Sequence, residues 1–290
     1  MMKYGFSSFG IIGGDKRQLY CAKALSDDGY EVALGGFDKV AQMKNTEITS
    51  PFEAALMSEV IILPLPAVNS KGKIPAPFCR EDIELSDDLI SAMKGKLVFC
   101  GFSEKLIEAC PKLSADIRDY YRREEFAVQN AVVTAEGAIE LALRNYEGTI
   151  NGARCLVCGF GRIGKALAHI LLPLGAKLTV SARKPSDLAW INSLGARAVR
   201  TEKLMCEDSF DIVFNTVPAR IFTCVLLAKI AGKALVIDLA SGEGGVDFYS
   251  AERLSIDAIH ALSLPGKCAP KTAGEIIRNT IYHILEEDDR

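Results

Sequence analysis

Short runs of Val, Ile and Leu alternate along the chain with longer stretches whose apolar positions recur at helical spacing. Continuous apolar runs suit strands covered by helices on both faces, so the pattern predicts parallel sheets in an α/β protein. In the first half the predicted strands are Gly10 to Ile12, Glu31 to Leu34, Val60 to Leu63, Leu97 to Cys100 and a short Asp116 to Arg118. Helices are expected from Gln18 to Ser26 and from Pro51 to Met57. Four prolines between Pro64 and Pro77 break the alternation and predict a loop able to cover a cleft. A helix from Thr134 to about Asn145, with Ala138, Ile139, Ala142 and Leu143 on one face, leads to the turn Asn151-Gly152 and a second series of strands. These are Arg154 to Cys158, Lys177 to Ser181, Asp211 to Asn215, Ala234 to Asp238 and Ala258 to Ala261. The last helix opens on Thr272-Ala273-Gly274-Glu275, the spacing of a capping box, and carries Ile277, Ile281 and Ile284 on one face.

The length, 290 residues, is enough for two domains at roughly 100–200 residues each. The expected division is residues 1–145 and 146–290, with a cleft between the domains and a C-terminal helix able to pack back on the first. Lys and Arg number 34 against 37 Asp and Glu, a formal charge of -3, so no excess positive charge points to nucleic acid. The nine cysteines are an odd, unevenly spaced set, which suits free thiols in a reducing compartment; the cytoplasm is expected. No run approaches ~18 apolar residues, so no membrane segment is expected. The acidic stretch Glu286 to Asp289 is read as a solvated tail.

Candidate chemistry begins at Gly159-Phe160-Gly161-Arg162-Ile163-Gly164, a GxGxxG directly after the strand Leu156-Val157-Cys158 and opening a helix. Glycines there permit the tight turn, the approach of backbone to a pyrophosphate and close helix–strand packing, while the helix N-terminus attracts phosphate. With an open parallel α/β pattern in each half, both domains are expected to be Rossmann-like, and this motif makes the second the dinucleotide-binding one. An acidic residue about 20 positions on would accept from the ribose 2′-OH of NAD. Here Ser181 holds that place, followed by Arg183 and Lys184, which predicts NADP in preference to NAD, unless the two cations are merely a solvated helix start. Ligands in open α/β sheets sit beyond the carboxyl ends of the strands. Asn215-Thr216-Val217-Pro218 and Asp238-Leu239-Ala240-Ser241 are therefore expected to line the ribose and nicotinamide, with Gly242, Gly244 and Gly245 making the second loop pliable. Leu264 and Pro265 follow the last strand where a nicotinamide ring would lie.

Together these motifs resemble the dipicolinate synthase A-subunit family of spore-forming bacteria over nearly the whole chain. The residues carrying the resemblance are Gly13-Gly14-Asp15 with Arg17-Gln18, Asp119-Tyr120 with Arg123-Glu124-Glu125, and Asn130-Ala131 with Thr134 to Ala138. In the second half they are the GxGxxG turn, Ala182-Arg183, Asn215 to Pro218, Asp238 to Ser241, Gly244-Gly245 with Asp247-Phe248, Leu264 to Gly266 and Ala269 to Gly274. His260 to Ser263 and Lys267-Cys268 depart from the small, apolar stretch expected there. The resemblance implies NADP-dependent oxidation of a dihydrodipicolinate-type ring to pyridine-2,6-dicarboxylate, with a separate flavoprotein-like B-subunit of the synthase, in the mother-cell cytoplasm during sporulation. A homo-oligomer is expected. Amino-acid or hydroxy-acid dehydrogenation, or non-catalytic NADP binding, are the alternatives.

A substrate with two carboxylates needs anchors, and arginine binds carboxylate bidentately. Arg17 and Arg123 are the candidates, with ion pairs to Asp15, Glu124 or Glu125 as the competing reading. Lys271 is the candidate for an electrostatic or acid/base role, or a plain anion site, and Glu124 is the candidate carboxylate. His169, His260 and His283 are read as structural, Trp190 as packing, and Cys155 and Cys158 as buried strand residues. No metal site is expected.

Overall fold

The computed structural model describes residues 5–230 and 232–288; Asp289 of the acidic tail lies outside them. Two compact units result: one runs up to Asn130 and resumes at Ala269, the other spans Ala131–Cys268. The expected division at 145/146 is thus displaced. One helix, Glu124–Asn145, runs through the boundary, and the C-terminal helix belongs with the first unit rather than the second.

The first unit contains β1 (Ser8–Ile12), α1 (Lys16–Asp27), β2 (Glu31–Gly35), β3 (Thr46–Thr49), α2 (Pro51–Met57), β4 (Val60–Ile62), α3 (Asp87–Met93), β5 (Leu97–Cys100), α4 (Ser103–Ala109) and β6 (Asp116–Asp119). A 3-10 turn, Tyr120–Arg122, leads into α5 (Glu124–Asn145). Its six strands are parallel in the order β3-β2-β1-β4-β5-β6. Ile12, Ile61, Leu63, Val98 and Cys100 form a core with the helices on one face.

The second unit contains β7 (Arg154–Cys158), α6 (Arg162–Leu171), β8 (Lys177–Ala182), α7 (Pro185–Ser193), β9 (Arg197–Arg200), a 3-10 segment Thr201–Cys206, β10 (Ile212–Asn215), α8 (Cys224–Ile230), β11 (Leu235–Asp238), α9 (Phe248–Arg253), β12 (Ala258–His260) and α10 (Leu264–Cys268). These strands are also parallel, ordered β12-β11-β10-β7-β8-β9. Both sheets therefore have the 3-2-1-4-5-6 order of a doubly wound dinucleotide fold, whose ligand position lies where the winding reverses. In the second unit that position is the carboxyl edge of β7 and β10. Ala138, Ile139 and Ala142 of α5 join its core, but Leu143 is 62% exposed, contrary to the one-face expectation.

The C-terminal helix, α11 (Pro270–Asp288), starts two residues before the expected capping box. Pro270 takes its first position, where a missing N–H costs nothing, and Ala273 N–H already bonds Ala269 C=O at 3.0 Å. Thr272 is consequently inside the helix and does not cap it. Ile277, Ile281 and Ile284 are buried. The helix docks on α1 through Gly274, where a Cβ would meet the Arg17 carbonyl at 2.5 Å and the Cys21 nitrogen at 2.7 Å.

Candidate nucleotide site

The three glycines of the turn after β7 have distinct physical reasons for being glycine. Gly159 has φ +100°, and a Cβ on it would meet Thr216 Oγ1 at 2.4 Å. A Cβ on Gly164 would lie 2.1 Å from the Gly159 carbonyl oxygen, so only glycine lets α6 pack this closely on the turn. At Gly161 a Cβ would meet nothing within 4 Å; the space in front of its backbone is open. Gly161 is also the N-cap of α6, and no side chain caps that end. The first N–H groups and the positive helix end are therefore uncapped beside open space, the arrangement that favours an anion.

The first unit supplies an internal control. Its equivalent turn, Gly13-Gly14, also has positive φ, yet Cβ atoms there would meet Ile74 and Pro75 of the proline-rich loop or the buried Gln18 side chain, all within 2.8 Å. Asp15 caps α1, accepting from Arg17 N–H at 2.9 Å, and Gln18 reaches back to the Asp15 N–H at 3.0 Å. A carboxylate and a covering loop therefore occupy in the first unit what is open and uncapped in the second.

A groove of about 790 Å³ runs along the carboxyl edge of the second sheet. Gly159, Phe160 and Gly161 form its floor, Thr216, Val217, Pro218, Ala219 and Ile221 one wall, and Ala182, Arg183 and Lys184 the far end with Asp187, Thr201 and Glu202. Arg183 and Lys184 are exposed. Ser181 is not at the surface: it is fully buried, its hydroxyl donating to Cys158 Sγ at 3.3 Å. β8 runs one residue further than expected, so the strand end is Ala182-Arg183. Lys165 also lines the groove, with Nζ 5.5 Å from the Phe160 ring centroid. Sequence reasoning missed it; its position one helical turn beyond Gly161 is the signal that could have found it.

The groove wall is held from behind. Asp238, fully buried, accepts hydrogen bonds from Asn215 Nδ2 at 2.7 Å, Ala240 N–H at 3.1 Å, Gly245 N–H at 2.7 Å and Val246 N–H at 3.1 Å. Asn215 in turn bridges Val217, donating to its carbonyl and accepting from its N–H, each at 3.1 Å. Gly244 and Gly245 are packed tightly, not pliable: a Cβ on either would lie 2.3 Å from Asp238 or Asn215. Ala240 is buried and Ser241 exposed, and neither lines the groove. Leu264 and Pro265 start α10 and are buried; Leu264 packs against Gly137 of α5. Arg162 is exposed and Ile163 half-buried on α6.

Comparison with known proteins divides the chain just before α5. Residues 8–121 match the family described as the dipicolinate synthase A-subunit N-terminal domain, and residues 123–244 the D-isomer specific 2-hydroxyacid dehydrogenase NAD binding domain. The A-subunit of dipicolinate synthase from Bacillus subtilis strain 168 is 32% identical over 282 residues, covering 96% of this chain and 95% of that protein. This chain belongs to the dipicolinate synthase A-subunit family. The crystal structure of the A-subunit of dipicolinate synthase from Bacillus halodurans superimposes with a TM-score of 0.87 at 34% identity over 96% of this chain and 97% of that one. A Sinorhizobium meliloti transhydrogenase shares the fold at 16% identity, with a TM-score of 0.68 over 97% of this chain and 93% of that one. The second unit is thus the nicotinamide-nucleotide domain of a dehydrogenase-type member of the family.

The family's Arg and Glu motifs in the first unit have internal partners. Arg17 is bidentate to Asp15 at 2.9 and 3.0 Å and donates to the Leu65 carbonyl at 3.1 Å. Arg123 bonds Glu125 at 2.8 Å and Glu287 at 2.7 and 2.5 Å. Glu287 of the expected solvated tail thereby closes an ion-pair cluster between the start of α5 and the end of α11. Glu124 and Lys271 are exposed, in the first turns of α5 and α11. Burial pushes the Cys155 thiol up to about 12 and the Cys158 thiol to about 11, which suits inert strand residues. Among the described residues no group of three metal-binding side chains comes together, and no helix is long and apolar enough to cross a membrane. Trp190 is not packed: it is 65% exposed.

Proposed function

We propose that this chain is the NADP-linked oxidising component of a dipicolinate synthase, acting on a dihydrodipicolinate-type cyclic dicarboxylate with a flavoprotein-like B-subunit in the mother-cell cytoplasm. The observation that carries the cofactor reading is the uncapped α6 N-terminus opening onto a groove that ends in Arg183 and Lys184. Neither cation has an ion pair among the described residues, whereas Arg200 engages the nearby carboxylate of Glu202. Two free cations at the strand end attract a 2′-phosphate where a carboxylate would repel it.

The bound nicotinamide would supply the hydride acceptor. The α6 N–H groups hold the pyrophosphate, and the Thr216 to Pro218 wall, fixed by Asn215 and Asp238, limits where the ring end of the cofactor can lie. Aromatising a dihydro ring removes one hydride and one proton. Lys271 and Glu124 are the candidate groups for the proton, being exposed and near helix starts, and Arg17 and Arg123 are the candidate carboxylate anchors once they exchange an internal partner for substrate. That requirement favours a second reading, in which this chain binds the nucleotide and its partner carries the chemistry.

The test is dipicolinate formation from freshly generated dihydrodipicolinate, with this chain, with the B-subunit, and with both together, each in the presence of NADP or NAD. Product that requires this chain and forms faster with NADP supports the first reading. NADP binding without turnover in every mixture supports the second. Replacing Arg183 with Ala should weaken NADP about tenfold while leaving NAD nearly unchanged, as read by calorimetry.

A further inference from the structure

We propose that the shallow pocket between α6 and α7 is an accessory site for a planar aromatic carboxylate, coupled to the nucleotide groove through Lys165 and Phe160. The pocket holds about 280 Å³ and is lined by Phe160, Lys165, His169, Trp190 and Leu194. Its shape and chemistry select the ligand class. Trp190 offers an exposed ring face, the largely buried Phe160 closes the pocket floor beside it, and Leu194 adds an aliphatic wall. An aromatic ring gains most from such walls, through burial and offset stacking.

The charge is equally one-sided. Lys165 carries a positive charge and His169 can donate from a ring nitrogen, while no carboxylate lines the pocket. A ring bearing a carboxylate satisfies walls and donors together; an uncharged ring or an aliphatic acid satisfies only one. The chain's only tryptophan is left 65% exposed at this spot, so its large apolar surface remains available to such a ligand.

Lys165 and Phe160 line this pocket and the nucleotide groove alike. A carboxylate that draws Lys165 toward Trp190 takes its charge away from nucleotide phosphates, a coupling that rests on the groove holding a nucleotide. Linkage then requires each ligand to weaken the other by the same factor, which makes the pocket an inhibitory site whose occupant senses nucleotide load. Pyridine-2,6-dicarboxylate is an aromatic carboxylate of this class, whereas an adenine nucleotide offers a ring with a phosphate instead, and experiment separates the two.

Because Trp190 is the sole tryptophan, its fluorescence reports directly on the pocket. The full-length chain is titrated with benzoate, with pyridine-2,6-dicarboxylate, with AMP and with benzyl alcohol as the uncharged control. Saturable quenching is expected with the two aromatic carboxylates and not with benzyl alcohol. Substituting His169→Leu, outside the nucleotide groove, should weaken carboxylate binding about fivefold and leave NADP affinity unchanged, and saturating NADP should weaken it severalfold. Lys165→Met should weaken both ligands. A non-saturable signal, equal affinity in His169→Leu and Lys165→Met as in the parent, or saturation by AMP alone would overturn the proposal. None of these readouts depends on turnover, so they stand or fall separately from the oxidation of any particular substrate.

Discussion

Gly161 and Gly164 differ by three positions and by everything that surrounds them. At Gly164 a methyl group must displace backbone 2.1 Å away, so Gly164→Ala should destabilise the fold by about 1–3 kcal/mol and abolish nucleotide binding together. Gly161 has φ -78°, which any residue adopts, and open space in front of it. Gly161→Ala should melt within about 0.5 kcal/mol of the parent yet bind NADP more than tenfold more weakly, because the methyl group fills the space a phosphate needs. Thermal melts paired with calorimetry separate the two. Asp238 and Asn215 show the opposite case: side chains expected at the ligand are instead buried behind it.

At the scale of elements, loops and helix ends are held by side chains distant in sequence. Lys96, just before β5, donates to the carbonyls of Ala55, Leu56 and Ser58 at 2.6, 3.0 and 2.7 Å and caps α2. Charged hydrogen bonds of this kind stabilise more than neutral ones, so Lys96→Met should cost about 1–3 kcal/mol in a denaturant melt. Asp238→Ala should cost about 3–5 kcal/mol, since it strips four buried donors of their acceptor. Hydrogen exchange should rise first at Ala240, Gly245 and Val246, whose N–H groups lose their partner.

For the molecule as a whole, acid should be destabilising through the ion pairs that tie its elements together. Burial pushes the Glu125 carboxyl up, but Arg123, its own backbone N–H and His283 together outweigh that and hold it below the ordinary range. Desolvation likewise raises Asp211, and the Arg154 backbone and side chain outweigh it to lower it. A carboxyl lowered on folding contributes stability above its unfolded pKa and loses it as pH falls through the folded one, so the thermal midpoint should drop below roughly pH 5. Glu125→Gln should reduce that drop by removing one of the carboxyls that folding lowers.

The central strands were legible because apolar runs such as Leu97 to Cys100 and Arg154 to Cys158 are buried on both faces and have no polar alternative. Of the four edge strands, β6 and β12 were read from the sequence and β3 and β9 were not: Thr46–Thr49 and Arg197–Arg200 have one neighbour each and carry no apolar run. The GxGxxG turn was legible because Gly159 takes a positive φ and Gly164 packs against the Gly159 carbonyl, constraints that lie within the motif itself. What lies opposite each residue was decided by the tertiary structure. Ser181 faces Cys158, Arg123 meets Glu287 as well as its neighbour Glu125, and Trp190 stands in solvent, because such partners and burial come from segments that sequence spacing does not bring together.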